Sequence, residues 1–207
     1  MKIRAWLASG FAGLMAALSG ATAFAAPSYD FIEFNYVQVN HDSPSYADQG
    51  GNFLLSARIA PYLIFDASYQ MLDSERLTVG LDSGRLRSQF VTAGLAGRFP
   101  IVRNLLDLTG GVDYVFVDVR GTRGLEDKVP STHDSGVQAK LAMRTNLRYF
   151  EVVPGVRHIR VSDEHEWAFG VQVLGCPGYG ICLTGGYEYF EDAKDNRFTG
   201  GIRLYYD

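Results

Sequence analysis

Hydrophobic and polar side chains alternate along much of this 207-residue chain. In the segment 106–116, one set of alternate positions is mainly apolar, and the other carries Asp107, Thr109, Gly111 and Asp113. Successive side chains of a β-strand point to opposite faces, so this period of two predicts a strand with one apolar and one polar face. A soluble β-sandwich gives the same alternation with its apolar face inward, so a single strand leaves both folds open.

Ten segments show this alternation, and each is close to the roughly 9–11 residues that a tilted strand needs to cross a bilayer. They are residues 29–40, 51–60, 63–72, 88–99, 106–118, 136–147, 150–161, 166–174, 181–190 and 197–206. The links between them alternate in length. Those at 61–62, 100–105, 148–149 and 175–180 are short; those at 41–50, 73–87 and 119–135 are long and polar; and those at 162–165 and 191–196 are short but strongly charged. Short turns on one side and longer loops on the other are typical of an outer-membrane barrel, whereas a sandwich has no reason to sort its connections in this way.

Nearly all mid-strand charges lie on the polar set of positions, which faces the interior of a membrane barrel. They are the acids Glu33, Asp66, Asp107, Asp113, Glu151 and Glu188 and the bases Arg58, Arg98, Lys140, Arg144, Arg157 and Arg203. Charges removed from bulk water must be paired or hydrogen-bonded. The 148–149 turn should bring Arg144 close to Glu151, and the preceding short turn should bring Arg98 close to Asp107. This balance favours a plugged lumen, and a barrel wide enough to keep the charges hydrated is the alternative.

Aromatic residues cluster beside the short turns, where a membrane-interface girdle belongs: Tyr62, Phe65, Phe99, Tyr149 and Phe150. The last segment, Thr199-Gly200-Gly201-Ile202-Arg203-Leu204-Tyr205-Tyr206, resembles the C-terminal assembly signal of bacterial outer-membrane proteins, although Asp207 follows the final aromatic residue. Together these features resemble the small OmpA/OmpX-like outer-membrane barrel superfamily, and within it a ten-stranded branch. The resemblance implies an all-β, single antiparallel up-and-down transmembrane barrel, surrounded by outer-membrane lipid and recognised by the assembly machinery through its last strand.

Pro154 is unexpected inside a predicted barrel strand, because it has no N–H to donate to a neighbouring strand and a barrel has no free edge. Gly155 beside it predicts a bulge or bend at this point. A strand that begins only at Gly155, and a barrel of eight strands, are the alternatives.

The first residues predict export. Lys2 and Arg4 precede a mostly apolar run over residues 5–18 that is too short for a permanent membrane anchor. Ala23-Phe24-Ala25 then matches the small-x-small pattern of a signal-peptidase site, so we expect a signal peptide over residues 1–25 and a barrel domain over residues 26–207. The outer membrane of a Gram-negative bacterium is the predicted location.

Cys176 and Cys182 are the only cysteines of the chain, and they flank the last short turn. Their spacing is not that of a C-x-x-C redox motif, and no further cysteine or histidine lies nearby in the sequence to complete a zinc site. Turn-forming residues separate them, so a disulfide across the turn is expected to stabilise the fold by roughly 2 kcal/mol. Two free thiols are the alternative.

The remaining chemistry gives no specific signal. A net charge of −4 without a basic cluster argues against nucleic acid. Three histidines (His41, His133 and His165) fall in predicted loops, and His158 lies on an outward position, so no nucleophile or metal set can be assembled. We therefore expect no cofactor, no metal and no catalysis, but a structural or surface-contact role whose extracellular partner the sequence does not identify. A narrow pore, a small barrel enzyme acting on lipid or peptide, and a soluble calycin-like periplasmic barrel that binds an apolar ligand are the alternatives.

Overall fold

The computed structural model describes residues 28–42, 45–75, 77–79, 82–122, 131–147, 149–178 and 180–206, so the predicted signal peptide lies outside the described residues. The strands of this part of the chain are β1 (Phe31–Asp42), β2 (Ser45–Ala60), β3 (Leu63–Ser74), β4 (Leu77–Val79), β5 (Asp82–Val102), β6 (Leu106–Thr122), β7 (Thr132–Leu147), β8 (Phe150–Val161), β9 (Glu164–Gly178), β10 (Ile181–Phe190) and β11 (Asn196–Tyr205). No helix in the described residues is long and apolar enough to cross a membrane.

Ten of these strands form one closed antiparallel barrel. Each pairs with its neighbours in sequence, β3 pairs directly with β5, and β1 pairs with β11 from Phe31↔Tyr205 to Asn40↔Asn196. The short strand β4 lies outside this ring and pairs only with the extracellular end of β5. The ten-stranded up-and-down barrel predicted from the sequence is therefore confirmed, and the eight-stranded alternative is wrong.

The outer wall of the barrel is apolar at the level of the short turns and above them. Phe34, Leu95, Val112 and Leu141 all point outward and are exposed. The predicted girdle residues Tyr62, Phe99, Tyr149 and Phe150 are exposed as well, beside the short turns. A soluble calycin-like barrel would direct this set inward, so that alternative is wrong. The outer wall is instead suited to contact with lipid.

Three predicted loops are shorter than expected, because the strands continue beyond the segments assigned to them. β1 ends at Asp42 and β2 begins at Ser45, where a loop was predicted over 41–50. Strand residues also occupy much of the predicted loops 73–87 and 119–135. β5 alone has 21 residues, about twice the number that a tilted strand needs to cross a bilayer. The barrel therefore extends beyond the membrane at its extracellular end.

Pro154 does not produce the predicted bulge, and β8 does not begin at Gly155. β8 runs from Phe150 to Val161 and pairs continuously with β9. Towards β7 the pairing lapses after Ala142↔Gly155 and resumes at Thr145↔Val152 in the same register. The proline therefore interrupts one ladder locally and leaves the alternation of side chains intact.

Candidate functional site

The barrel interior contains eleven of the twelve charged residues that the sequence placed there, and the twelfth, Arg58, lies at the rim. Each of the twelve has a partner of opposite charge. The ion pairs are Glu33–Arg203, Arg58–Asp30, Lys140 with Asp66 and Asp113, Arg98–Asp107, Arg144–Glu151, and Glu188 with Arg157 and Arg197. Most of these residues lie at inward-facing alternate positions of the strands, which is why the alternation along the sequence predicts them. The lumen is the candidate functional site.

Arg144 is the centre of the periplasmic end of the lumen. Its Nε donates to Glu151 at 2.6 Å, its Nη2 donates to the Tyr205 hydroxyl at 2.7 Å, and its Nη1 donates to the carbonyl of Ser28 at 2.5 Å. Its guanidinium also lies 4.8 Å from the centre of the Tyr29 ring. The Arg144 side chain is only 4% exposed. The guanidinium of Arg144, on β7, therefore contacts residues of β8, β11 and the segment before β1 simultaneously.

Two further pairs surround this centre. Arg203 Nε donates to Glu33 at 2.6 Å, and Gln172 connects both residues by accepting from Arg203 and donating to Glu33. On the opposite wall, Arg98 Nε donates to Asp107 at 2.7 Å, next to the turn that suggested this contact. Asp107 is fully buried. Charges so far from water persist because each carboxylate accepts charge-assisted hydrogen bonds.

The middle of the lumen is crossed by bonds between strands that are not neighbours in the barrel. Lys140 on β7 donates to Asp66 on β3, and it also donates, at 2.8 Å, to Asp113 on the neighbouring strand β6. Arg197 on β11 likewise donates to Gln70 on β3. Such bonds lie across the lumen, not along its wall.

A third group joins the walls nearer the extracellular side. Arg157 binds Glu188 through Nε at 2.6 Å and through Nη2 at 2.5 Å, and its Nη1 donates to Gln138 at 3.0 Å. Arg197 Nη1 approaches Glu188 from the other side at 3.3 Å. We call Arg157, Glu188, Arg197, Gln70 and Gln138 the charged floor, because the inner wall changes character above it.

Sequence reasoning missed several members of the network. Arg197 and Asp30 lie at strand ends, where charges are usually solvated, and Tyr29 and Tyr205 resemble interfacial aromatic residues. The sequence does indicate that Tyr205 faces the lumen, because Tyr205 is two residues from Arg203 on the same strand and so points to the same side. Arg58, which the sequence grouped with the lumen charges, lies at the rim with its side chain 43% exposed.

Above the charged floor the inner wall is apolar. Val37, Val39 and Leu72 form a buried cluster with Phe90 packed against it. Val39, Leu72 and Phe90, with other residues, line a chamber of about 330 Å³ at the extracellular end of the lumen. Its remaining apolar lining comes from Val115, Val117, Ile159, Val161 and Phe190.

Polar side chains also line this chamber. His41 lies between two carboxylates, with Nδ1 2.6 Å from Asp195 and Nε2 3.3 Å from Asp48. Asp48 is outside the membrane-spanning part of β2, and burial raises the pKa of its carboxyl above the usual value while His41 opposes that rise. The chamber is therefore amphipathic: its charged lining comes from β1, β2, β8, β11 and the segment before β11, and β3, β5 and β7 add neutral polar side chains.

The other histidines are separate from this site. His133 approaches Asp118 at 3.5 Å, and the His158 ring packs 4.6 Å from the ring of Trp167 on the outer wall. Within the described ranges, no group of three or more His, Cys, Asp or Glu is arranged to hold a metal ion. Cys176 and Cys182 form a disulfide across the turn between β9 and β10, as the sequence predicted.

No protein-family model matches the chain, and no curated protein matches it. Among solved structures, the KdgM porin in complex with disordered oligogalacturonate has 9% sequence identity, with 86% of this chain and 99% of that chain covered at a TM-score of 0.50. The fold is that of a bacterial outer-membrane β-barrel. The translocator domain of the autotransporter NalP from Neisseria meningitidis (12% identity, 98% and 97% coverage, TM-score 0.49) and Ail of Yersinia pestis with sucrose octasulfate (14%, 84% and 95%, 0.41) are also similar.

This fold and the exposed apolar outer wall together place the chain in the outer membrane of a Gram-negative bacterium, as predicted. Exposed apolar side chains surround a closed ring of strands, whose backbone groups are paired around the barrel. Such a barrel crosses a bilayer without leaving strand edges unpaired in lipid.

Proposed function

We propose that this protein is a non-enzymatic outer-membrane barrel whose lumen is sealed by its charge network, and that it acts through its extracellular end. One observation carries the proposal: hydrogen bonds join strands that are not neighbours. Lys140 reaches Asp66 across three strand boundaries, and Arg144 reaches Tyr205 on the far side of the barrel. In a hydrated pore, such side chains would be solvated by water and would not bond to one another across the lumen.

The network also supports the absence of catalysis. A general acid or base needs a proton that it can exchange with a substrate. Within the described lumen, the carboxylates of Glu33, Glu151 and Glu188 are instead held by arginines at 2.5–2.6 Å. Their arrangement suits a structural crosslink.

A narrow pore is the second candidate. A cavity of about 290 Å³ lies beside the network and is lined by residues that include Glu33, Asn35, Lys140 and Gly170. The mid-lumen is therefore not completely filled. KdgM is a porin, but at 9% identity the likeness extends only to the fold.

Conductance in planar bilayers separates the two candidates. The sealed barrel should show almost no conductance in its wild-type form. Joint replacement Arg144→Met with Glu151→Gln should open the periplasmic end and raise the conductance measurably. Heat-modifiable mobility on gels checks that each variant is folded. Steady conductance by the folded wild-type protein would contradict the seal and support the pore.

A further inference from the structure

The extracellular chamber contains two polar atoms that are buried and lack a hydrogen-bond partner among the described residues. They are Oδ1 of Asp48 and Nε of Arg197. Both residues line the chamber. A buried polar atom without a partner costs about 1–3 kcal/mol, so native structures rarely retain one without a reason such as a missing ligand.

The two atoms differ in what they require. Arg197 Nε is a donor and needs an acceptor, whereas the Asp48 carboxylate oxygen is an acceptor and needs a donor. The other oxygen of Asp48 faces His41, and the terminal nitrogens of Arg197 are engaged with Glu188 and Gln70. These contacts hold both side chains in place, so that the two atoms are preorganised for a ligand.

The rest of the lining selects an apolar body. Phe90, Val115, Val117, Ile159 and Phe190 line the chamber, with polar side chains such as Ser68 and Thr92 among them. A protein cavity of about 150 Å³ holds benzene. The chamber of about 330 Å³ therefore accommodates a molecule of roughly twice that size.

The extracellular side is the route that the charge network leaves available. The charged floor separates the chamber from the periplasmic half of the lumen, where Arg157 and Arg197 meet at Glu188. Among the described residues, the ion pairs that join non-neighbouring strands begin at the charged floor, so the chamber lies on the extracellular side of them.

We infer that the chamber binds a small amphipathic molecule from outside the cell: an apolar body, aromatic or compact aliphatic, that carries an anionic acceptor for Arg197 and a hydroxyl donor for Asp48. The anionic acceptor gains from the guanidinium charge, and the hydroxyl from the carboxylate charge. The chamber lies above the charged floor, so this inference does not depend on whether the lumen is sealed.

The test measures binding of 6-hydroxy-2-naphthoate to the full-length barrel in lipid nanodiscs, where no detergent competes for an apolar chamber. The fluorescence anisotropy of the naphthalene ring reports binding, and empty nanodiscs give the background from partition into lipid. We expect saturable binding with one molecule per barrel.

Variants that fill the chamber should weaken this binding. Val117→Trp places a large ring inside and should weaken binding at least about tenfold, because a packed cavity tolerates added volume poorly. Val112→Trp is the matched control on the same strand: Val112 faces lipid, and binding should be unchanged. Ile159→Phe fills the chamber from another wall. It replaces Val117→Trp as the test variant if Val117→Trp loses its heat-modifiable mobility and is therefore not folded.

Variants of the polar side should discriminate between probes. Arg197→Lys removes the Nε donor and should weaken 6-hydroxy-2-naphthoate by about tenfold or more, but should leave 2-naphthol, which has no carboxylate, nearly unaffected. Asp48→Ala should weaken the hydroxyl-bearing probe and leave 2-naphthoate nearly unaffected. Absence of saturable binding, or equal affinity in folded Val117→Trp, Ile159→Phe and wild-type barrels, would overturn the inference. Loss of every probe in both polar variants would refute the assigned donor and acceptor.

Discussion

Replacing Arg144 by methionine removes a buried cation that donates three hydrogen bonds, while keeping an unbranched side chain. The guanidinium bonds to Glu151, Tyr205 and the carbonyl of Ser28 are lost. Glu151 is left buried, still accepting a hydrogen bond from the Tyr205 hydroxyl at 3.0 Å but without its positively charged partner. Removing one partner of a buried ion pair costs about 3–5 kcal/mol, because the other charge stays behind without compensation.

Glu151→Gln leaves the complementary charge on Arg144, so we expect a cost of the same order, about 3–5 kcal/mol. The double variant carries neither charge. Its cost should fall below the sum of the two single costs by at least about 2 kcal/mol, which lies within the coupling range measured for residues in direct contact.

Urea unfolding of barrels refolded into lipid vesicles measures these free energies. Trp167 is exposed on the outer wall and reports the loss of the lipid environment by fluorescence. Arg58 provides a matched control, since it pairs with Asp30 at 3.3 Å at the rim with its side chain 43% exposed. Arg58→Met should cost no more than about 1 kcal/mol.

Two outcomes would refute the reasoning. If the Arg144 and Glu151 costs add within about 0.5 kcal/mol, the two residues are not coupled and the pair is hydrated. If Arg58→Met destabilises the barrel as much as Arg144→Met, burial does not determine the strength of these pairs.

Two further pairs of substitutions test the wall itself in the same unfolding assay. Leu141→Arg places a charge on the lipid-facing wall and should cost about 2–4 kcal/mol near the membrane midplane. Ala142→Arg points into the lumen and should impair membrane insertion less. Equal loss of heat-modifiable mobility in both variants would contradict the assignment of the two faces. Gly94→Ala brings a Cβ against the Asp113 carboxylate and backbone and should cost about 1–3 kcal/mol by overpacking. Gly185→Ala has nothing within 4 Å of the added carbon, so its cost should be close to zero. Similar costs for the two variants would show that the packing around Gly94 is not tight.

The sequence predicts the faces of the barrel well and the contacts across it poorly. Alternation assigns each side chain to the lumen or to lipid, and a two-residue turn fixes which positions are opposite, so the Arg144–Glu151 contact follows from the chain alone. The Lys140–Asp66 contact does not follow, because its partners lie on β7 and β3. Meeting across the lumen depends on barrel diameter and strand stagger, which no local pattern contains.

The loops were overestimated for a related reason. The strands continue above the membrane, where the outer wall turns polar: Gln49 bonds to Tyr36, and Arg87 pairs with Asp73. There the inner wall is apolar, as with Val39 facing the chamber. The alternation of side chains along the sequence is present in both regions, but it does not show how far along the barrel axis a residue lies. Polar residues on the outer wall above the membrane were therefore assigned to loops.

The reversal of polarity along the barrel follows from the solvent on each side. Where lipid surrounds the wall, burying apolar side chains inward gains little over lipid contact, so the interior can hold Arg144, Glu151 and their partners. Where water surrounds the wall, the hydrophobic effect favours an apolar interior, as in a soluble barrel. The charged floor lies where these two regimes meet. Arg197 belongs to both, because its Nη atoms complete the network below while its Nε faces the apolar chamber without a partner among the described residues. A ligand that satisfied Nε would therefore act directly on the network's uppermost crosslink.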